Sequence, residues 1–142
     1  MDHVENKRWG WQQALDSRTE YLVDLADQTI SEARMKELTR SLKVNQLSNM
    51  LSVTQATDDG VAAVVNWVRY QMGRRETSRA WKQTGLGDQV LKSIREMAPE
   101  AHALAEKIYG QPTEAQIRQI HLAMIRQYVG YMRRWFVARG GQ

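Results

Sequence analysis

Cysteine is absent from the chain, so disulfides and thiolate metal ligands are excluded. That absence suits a reducing compartment. There are only two prolines, Pro99 and Pro112, and glycines are few before the last third. No run of β-branched and aromatic residues alternates with polar ones, so strands are not expected. No apolar run approaches the roughly 20 residues that a membrane span needs. The opening MDHVENKRWG has no apolar h-region and does not read as a signal peptide. These absences lead to the expectation of a soluble, cytoplasmic, all-α protein with no membrane contact. What is present is an ordinary globular mixture, 142 residues with 42% hydrophobic and 25% charged, enough for one domain with a real core.

Apolar residues recur at helical spacing. A first helix is expected over about 11–36, with Trp11, Leu15, Leu22, Leu25 and Ile30 near one side and Asp16, Glu20, Asp24 and Asp27 on the other. A shorter helix at 44–56 turns Leu47, Met50 and Leu51 inward. TDDG at 57–60 opens a third, with Asp58 or Asp59 as cap. Its buried stripe is Val61, Val64, Val65, Val68 and Met72, and Gly73 lies near its end. TGLGD at 84–88 is a turn with Asp88 as N-cap, followed by helices at 88–97 and 99–109 interrupted by Pro99. Thr113 and Gln116 form a capping-box pattern before a long helix that runs to about Arg139. On that helix Ile117, His121, Met124, Tyr128, Tyr131 and Trp135 form one stripe, and Leu122, Ile125, Val129, Met132 and Phe136 a second. A helix apolar over so much of its surface is central in a bundle or shares a face with another subunit. The expectation is one domain over 1–142, a bundle of five to six helices with a long C-terminal helix and frayed tails at 1–10 and 140–142.

Little in the chain suits catalysis. His3, His102 and His121 show no zinc spacing, and His121 sits on an apolar stripe, where a hydrogen-bonded packing role suits it best. There is no P-loop, no dinucleotide-binding glycine pattern and no EF-hand loop. The chain therefore reads as a non-enzyme with no cofactor and no bound metal.

Charge is segregated. Residues 1–32 carry seven acids and three bases, residues 66–82 five bases and one acid, and residues 115–142 five arginines and no acid. Segregation of this kind suggests an anionic partner, and arginine forks onto phosphate oxygens. Asn66, Arg69 and Gly73 share one face of the third helix, away from its valines, with Tyr70 at the edge of that face. Arg74 and Arg75 extend the face, and Arg79 and Lys82 follow in the next loop. On the last helix Gln119, Arg126 and Arg133 recur every seven residues. Arg134 and Arg139 add charge near its end, where a favourable helix-dipole interaction explains them equally well. Were these two helices to pack side by side, their arginines would make one stripe suited to a nucleic-acid backbone.

LTRSLKVNQLSNML, 38–51, resembles the most recognisable stretch of the small subunit of type III CRISPR effector complexes, the all-helical Csm-type family. Leu42, Asn45, Gln46, Leu47 and Met50 fall on that pattern. Asn49 takes a lysine position and Ser48 a position where the family often carries arginine. Tyr70, Gln71, Gly73 and Arg74 resemble a second family motif, and GYMRRWFVARGG resembles the family's C-terminal stretch, longer and without its histidine. The resemblance touches about half the chain, in the same order. It implies a non-catalytic antiviral-defence protein whose copies stack head to tail along a ribonucleoprotein filament. Its partners would be guide RNA, target RNA and the backbone and large subunits, with contacts to sugar and phosphate. Lys43, Gln46 and Asn49 then join Asn66, Arg69, Tyr70, Arg74, Arg75, Arg79, Lys82, Arg126, Arg133 and Arg134 as the expected RNA contacts.

Two other classes fit parts of the sequence. A helical protein–protein adaptor needs no nucleic acid. A helix-turn-helix DNA-binding regulator is suggested by SLKVNQLSNMLSVTQAT at 41–57, although Lys43 is its one base.

Overall fold

The computed structural model describes residues 8–56 and 60–142. Among them the chain is all-helical, with seven α-helices, one π-helical turn and no strand. The helices are α1 (Trp11–Asp16), α2 (Thr19–Thr29), α3 (Glu32–Ser41), α4 (Val44–Gln55), α5 (Val61–Gly73), α6 (Leu86–Tyr109) and α7 (Glu114–Ala138), and the π turn is Arg79–Gln83. The expected caps Asp58 and Asp59 lie outside the described residues, as does His3.

The long C-terminal helix is the centre of the bundle. α2, α4 and α6 all pack on α7, and Leu122, Met124, Ile125, Tyr128, Val129, Met132 and Phe136 are buried there. Each such large side chain contributes roughly 1.5–3 kcal/mol by leaving water. α7 starts as its capping-box pattern predicts. Gln116 N donates to Thr113 Oγ1 at 3.1 Å, and Thr113 N donates to Gln116 Oε1 at 3.0 Å.

The single helix expected over 11–36 is instead three, α1 to α3. Ser17 ends α1 by donating its hydroxyl to Ala14 O at 2.6 Å, a local bond that competes with helix continuation. α2 ends where Ile30 (φ −104°, ψ 46°) leaves helical geometry and Ser31 is extended. The carbonyls exposed by that break are taken up by guanidiniums. Arg34 Nη1 donates to Thr29 O at 2.9 Å, and Arg139 Nη1 donates to Ile30 O at 2.6 Å. Arg139 comes from the far end of the chain, so no local pattern announces this break.

Pro99 does not divide α6, contrary to expectation. The helix is continuous over 24 residues with Pro99 inside it. Proline removes one backbone bond and crowds the preceding turn. Pro99 is exposed, while Met97, Ala101, Leu104 and Ala105 around it are buried. The apolar stripe thus stays in register through the defect, and packing offsets its cost. α6 also starts earlier than expected. Gly85 at φ 82° supplies the left-handed turn, Leu86 N donates to Thr84 Oγ1 at 3.2 Å, and Asp88 stands within the first turn rather than at the cap. There its carboxylate complements the helix dipole.

The ending 140–142, expected to fray, is seated. Gly140 has φ 99°, Gly140 N donates to Val137 O at 3.1 Å and Gly141 N donates to Phe136 O at 2.8 Å. This is the paired bonding of a Schellman C-cap. Gly141 is buried so closely on the Phe136 ring that a Cβ has no room. Gln142 O then accepts from Val44 N at 3.1 Å, tying the end to the start of α4. At the other end, Trp9 N donates to Lys107 O at 3.0 Å and the Lys107 ammonium stands 5.1 Å over the Trp9 ring, so residues 8–10 are also docked rather than frayed.

Candidate nucleic-acid interface

α5 divides its faces as its sequence predicts. Val64 and Val68 are fully buried, whereas Asn66, Arg69, Tyr70 and Gly73 are exposed at i, i+3, i+4 and i+7. Tyr70 is 59% exposed, which is unusual for a large aromatic in this molecule. The helix ends at Arg74, whose backbone is extended (φ −78°, ψ 129°), and Thr77 Oγ1 donates to Gln71 O at 2.8 Å to close the end. Arg74 pairs with Glu76 at 3.1 Å in an exposed position, a contact of small worth that a stronger anion would displace. Arg75 is exposed beside it.

Arg79 and Lys82, expected in a loop, stand on the π turn. This turn is held by Trp81, which is fully buried and meets Trp67 edge-on, with ring centroids 5.3 Å apart and planes at 88°. The two tryptophans fasten the turn to α5. Asn66, Arg69, Arg74, Arg75, Arg79 and Lys82 are thus exposed on α5, the π turn and the short link between them.

The arginines of α7 do not join them in one stripe. α7 packs mainly on α2, α4 and α6 and touches α5 only lightly. Arg126 Nε donates to Thr54 O at 2.8 Å, and Arg133 Nε donates to Ser48 Oγ at 2.9 Å. The seven-residue spacing correctly puts Arg126 and Arg133 on one face, but that face is applied to α4. Arg133 is exposed there on Ser48, whose neighbour Asn49 is also exposed, and Lys43 is exposed at the N-cap of α4. Gln46 has a local task, since its Oε1 accepts from Lys43 N at 3.0 Å and caps α4. Arg134 is exposed with its guanidinium 5.8 Å from the Tyr131 ring centroid. Arg139 is occupied by Asp27 at 2.6 Å, by Ile30 O and by the Trp135 ring at 4.1 Å.

No three His, Asp or Glu side chains gather as a metal site would need among the described residues. His121 Nε2 bonds Ile94 O at 2.8 Å, and burial lowers the imidazole pKa against the opposing pull of that bond. A depressed, neutral, backbone-bonded imidazole on a packed face is a structural feature. Residues 44–55, within the segment that suggested a helix-turn-helix, are one uninterrupted helix. No described helix is long and apolar enough to cross a membrane.

The sequence reading overlooked Arg40. It lies on α3, 39 positions before Arg79, yet the two line one small cleft. Neither residue's local context marks it, because the pairing exists only after α3 packs on the π turn.

The class defined so far is an all-helical bundle with a central C-terminal helix and an exposed basic segment on α5 and the π turn. Comparison with known protein families, curated proteins and solved structures found no match.

Proposed function

We propose that this chain is a non-catalytic RNA-binding subunit of a type III CRISPR ribonucleoprotein effector. It holds the guide RNA–target RNA backbone without reading sequence. The observation that carries this reading is the exposed cationic segment of α5 and the π turn, with Asn66 and Tyr70 interleaved among Arg69, Arg74, Arg75, Arg79 and Lys82. Guanidiniums supply the phosphate contacts, an amide reaches sugar or phosphate oxygens, and an exposed phenol offers a stacking surface. The resemblance of 38–51 and of Tyr70, Gln71, Gly73 and Arg74 to the Csm-type small subunits supplies the biological setting.

One further contact supports it. Ser48 occupies a position where the resembled family often carries arginine, and Arg133 from α7 reaches that same serine. A guanidinium therefore stands on α4 although α4 does not encode one. Asn49 on α4, Arg133 on α7 and Lys43 at the N-cap of α4 are further exposed polar groups that contact RNA in this proposal. Head-to-tail stacking of copies and docking to the backbone and large subunits complete the reading, with action in the cytoplasm. The test is RNA binding by a variant with Arg69, Arg74 and Arg75 changed together to Ala. Loss of affinity with a reduced salt dependence supports the proposal, and unchanged binding refutes it.

A protein–protein adaptor is the second reading. It draws on a largely apolar hollow of about 270 Å³ lined by Val23, Tyr131, Arg134, Trp135 and Ala138, beside the exposed Val137. Failure of the unmodified chain to bind any RNA would favour it.

A further inference from the structure

α3 and the π turn enclose a polar cleft. Its volume is about 170 Å³, and Glu37, Arg40, Arg79, Gln83 and Thr84 line it. Both arginines are exposed at their outer ends, and neither has a hydrogen-bond or ion-pair partner among the described residues. Glu37 is one turn from Arg40 on α3 yet forms no ion pair with either guanidinium among the described residues. Two guanidiniums sharing a cleft repel each other, and an anion between them removes that cost.

The cleft is built on fixed elements. Leu38 and Trp81 are fully buried behind its two walls. Thr84 has its hydroxyl committed on both sides, donating to Ala80 O and accepting from Leu86 N. It is therefore a rigid wall, and the free polar groups are Arg40, Arg79, Glu37 and Gln83. The π turn matters here, because its wider winding presents Arg79 and Gln83 to the cleft while Ala80 and Trp81 point into the core.

The size narrows the ligand. Sites for drug-sized molecules run to roughly 300–1,000 Å³, so the cleft alone takes a small charged group. An adjoining hollow of about 390 Å³, lined by Ser31, Ala33, Arg34, Glu37 and Thr84, shares two of its walls. A ligand with an anionic head and a larger neutral body fits both. Glu37 stands at the join, where a carboxylate repels an anion but accepts hydrogen bonds from hydroxyls. Arg34 is turned aside to Thr29 O at 2.9 Å, so the second hollow has no comparable anion clamp.

We propose that this cleft binds a ribonucleotide, with its phosphate on Arg40 and Arg79, its ribose hydroxyls on Glu37 and its base in the adjoining hollow. The ligand is either a free mononucleotide or one nucleotide of an RNA strand. The site shares Arg79 with the basic segment of α5 and the π turn, whereas Arg69, Arg74 and Arg75 take no part in it.

The test is a titration of the full chain, followed by amide NMR, with AMP, dAMP, inorganic phosphate and a six-residue oligoribonucleotide. AMP is expected to shift the amides of α3 near Glu37 and Arg40 and those of the π turn. R40A and R79A each weaken AMP binding by roughly tenfold or more, as loss of a charged hydrogen bond does. R40K and R79K recover part of it, and E37Q lowers the preference for AMP over dAMP. The triple change of Arg69, Arg74 and Arg75 leaves AMP binding intact, which separates this proposal from the RNA-backbone reading. Cleft shifts with the oligoribonucleotide but not with AMP assign the site to a strand, and shifts with AMP assign it to the free nucleotide as well. The proposal is overturned if neither AMP nor the oligoribonucleotide perturbs the cleft, if R40A and R79A bind whichever of them does as the unmodified chain does, or if inorganic phosphate binds as tightly as that ligand.

Discussion

Trp81 meets the edge of Trp67 with ring centroids 5.3 Å apart and planes at 88°. This contact joins the π turn to α5, and with it Arg79 and Lys82 to Arg69 and Arg74. Trp81 has no exposed surface, and its indole N–H has no hydrogen-bond partner. Its role is therefore packing. Trp81→Ala is expected to cost about 3–5 kcal/mol by the cavity it leaves, measured by urea denaturation. Trp81→Phe keeps most of the volume and frees no polar group, so it costs markedly less. Equal losses in the two variants would contradict the packing account.

Arg139 and Asp27 give a prediction with an internal contrast. Arg139 is 15% exposed and Asp27 46%, at a separation of 2.6 Å. Arg139 also donates to Ile30 O and lies 4.1 Å over Trp135. Arg139→Ala removes all three contacts and uncaps the end of α2, for an expected loss of about 2–3 kcal/mol. Asp27→Asn removes only a half-exposed ion pair and costs less than about 1 kcal/mol. Thermal or chemical denaturation of the two variants reads the difference.

That contact also shows where the fold was legible in the sequence and where it was not. The start of α7 was legible because Thr113 and Gln116 act on each other across three residues. The valine stripe of α5 was legible for the same reason: its periodicity is local. The breaks at Ser17 and Ile30 were not, since the second is completed by Arg139, 109 positions away. Pro99 read as a boundary, but the burial of Met97 and Ala101 carries α6 through it. For the site, periodicity grouped Arg126 with Arg133 correctly. It had no means of showing that α4 lies against them, or that Arg40 meets Arg79 across a cleft.

Tyr128 supplies a pH test. Its ring is fully buried, and its hydroxyl lies 2.7 Å from Thr29 Oγ1. Thr29 gives its own proton to Leu25 O, so Tyr128 is the donor. Burial pushes the phenol pKa up to about 12, against smaller opposing effects from its hydrogen bonds. A raised folded-state value means that the unfolded chain loses this proton first. The stability held by the neutral phenol is complete below about pH 10 and is lost as pH rises toward about 12. Tyr128→Phe should cost about 1 kcal/mol at neutral pH and flatten the alkaline decline. An alkaline decline that is the same in Tyr128→Phe would assign it to other groups.

The central claim is that the cationic face of α5 and its extension hold an RNA backbone. It is tested most directly by measuring the affinity of single-stranded RNA across a range of salt concentrations, for the unmodified chain and for the variant with Arg69, Arg74 and Arg75 changed to Ala. The three side chains are exposed, so the fold should persist, as circular dichroism will show. The account predicts weaker binding and a slope of log affinity against log salt that is shallower by about two, the value for three lost phosphate contacts on a single strand. It also predicts the same loss for unrelated RNA sequences. Affinity and slope both unchanged in the folded variant would contradict it.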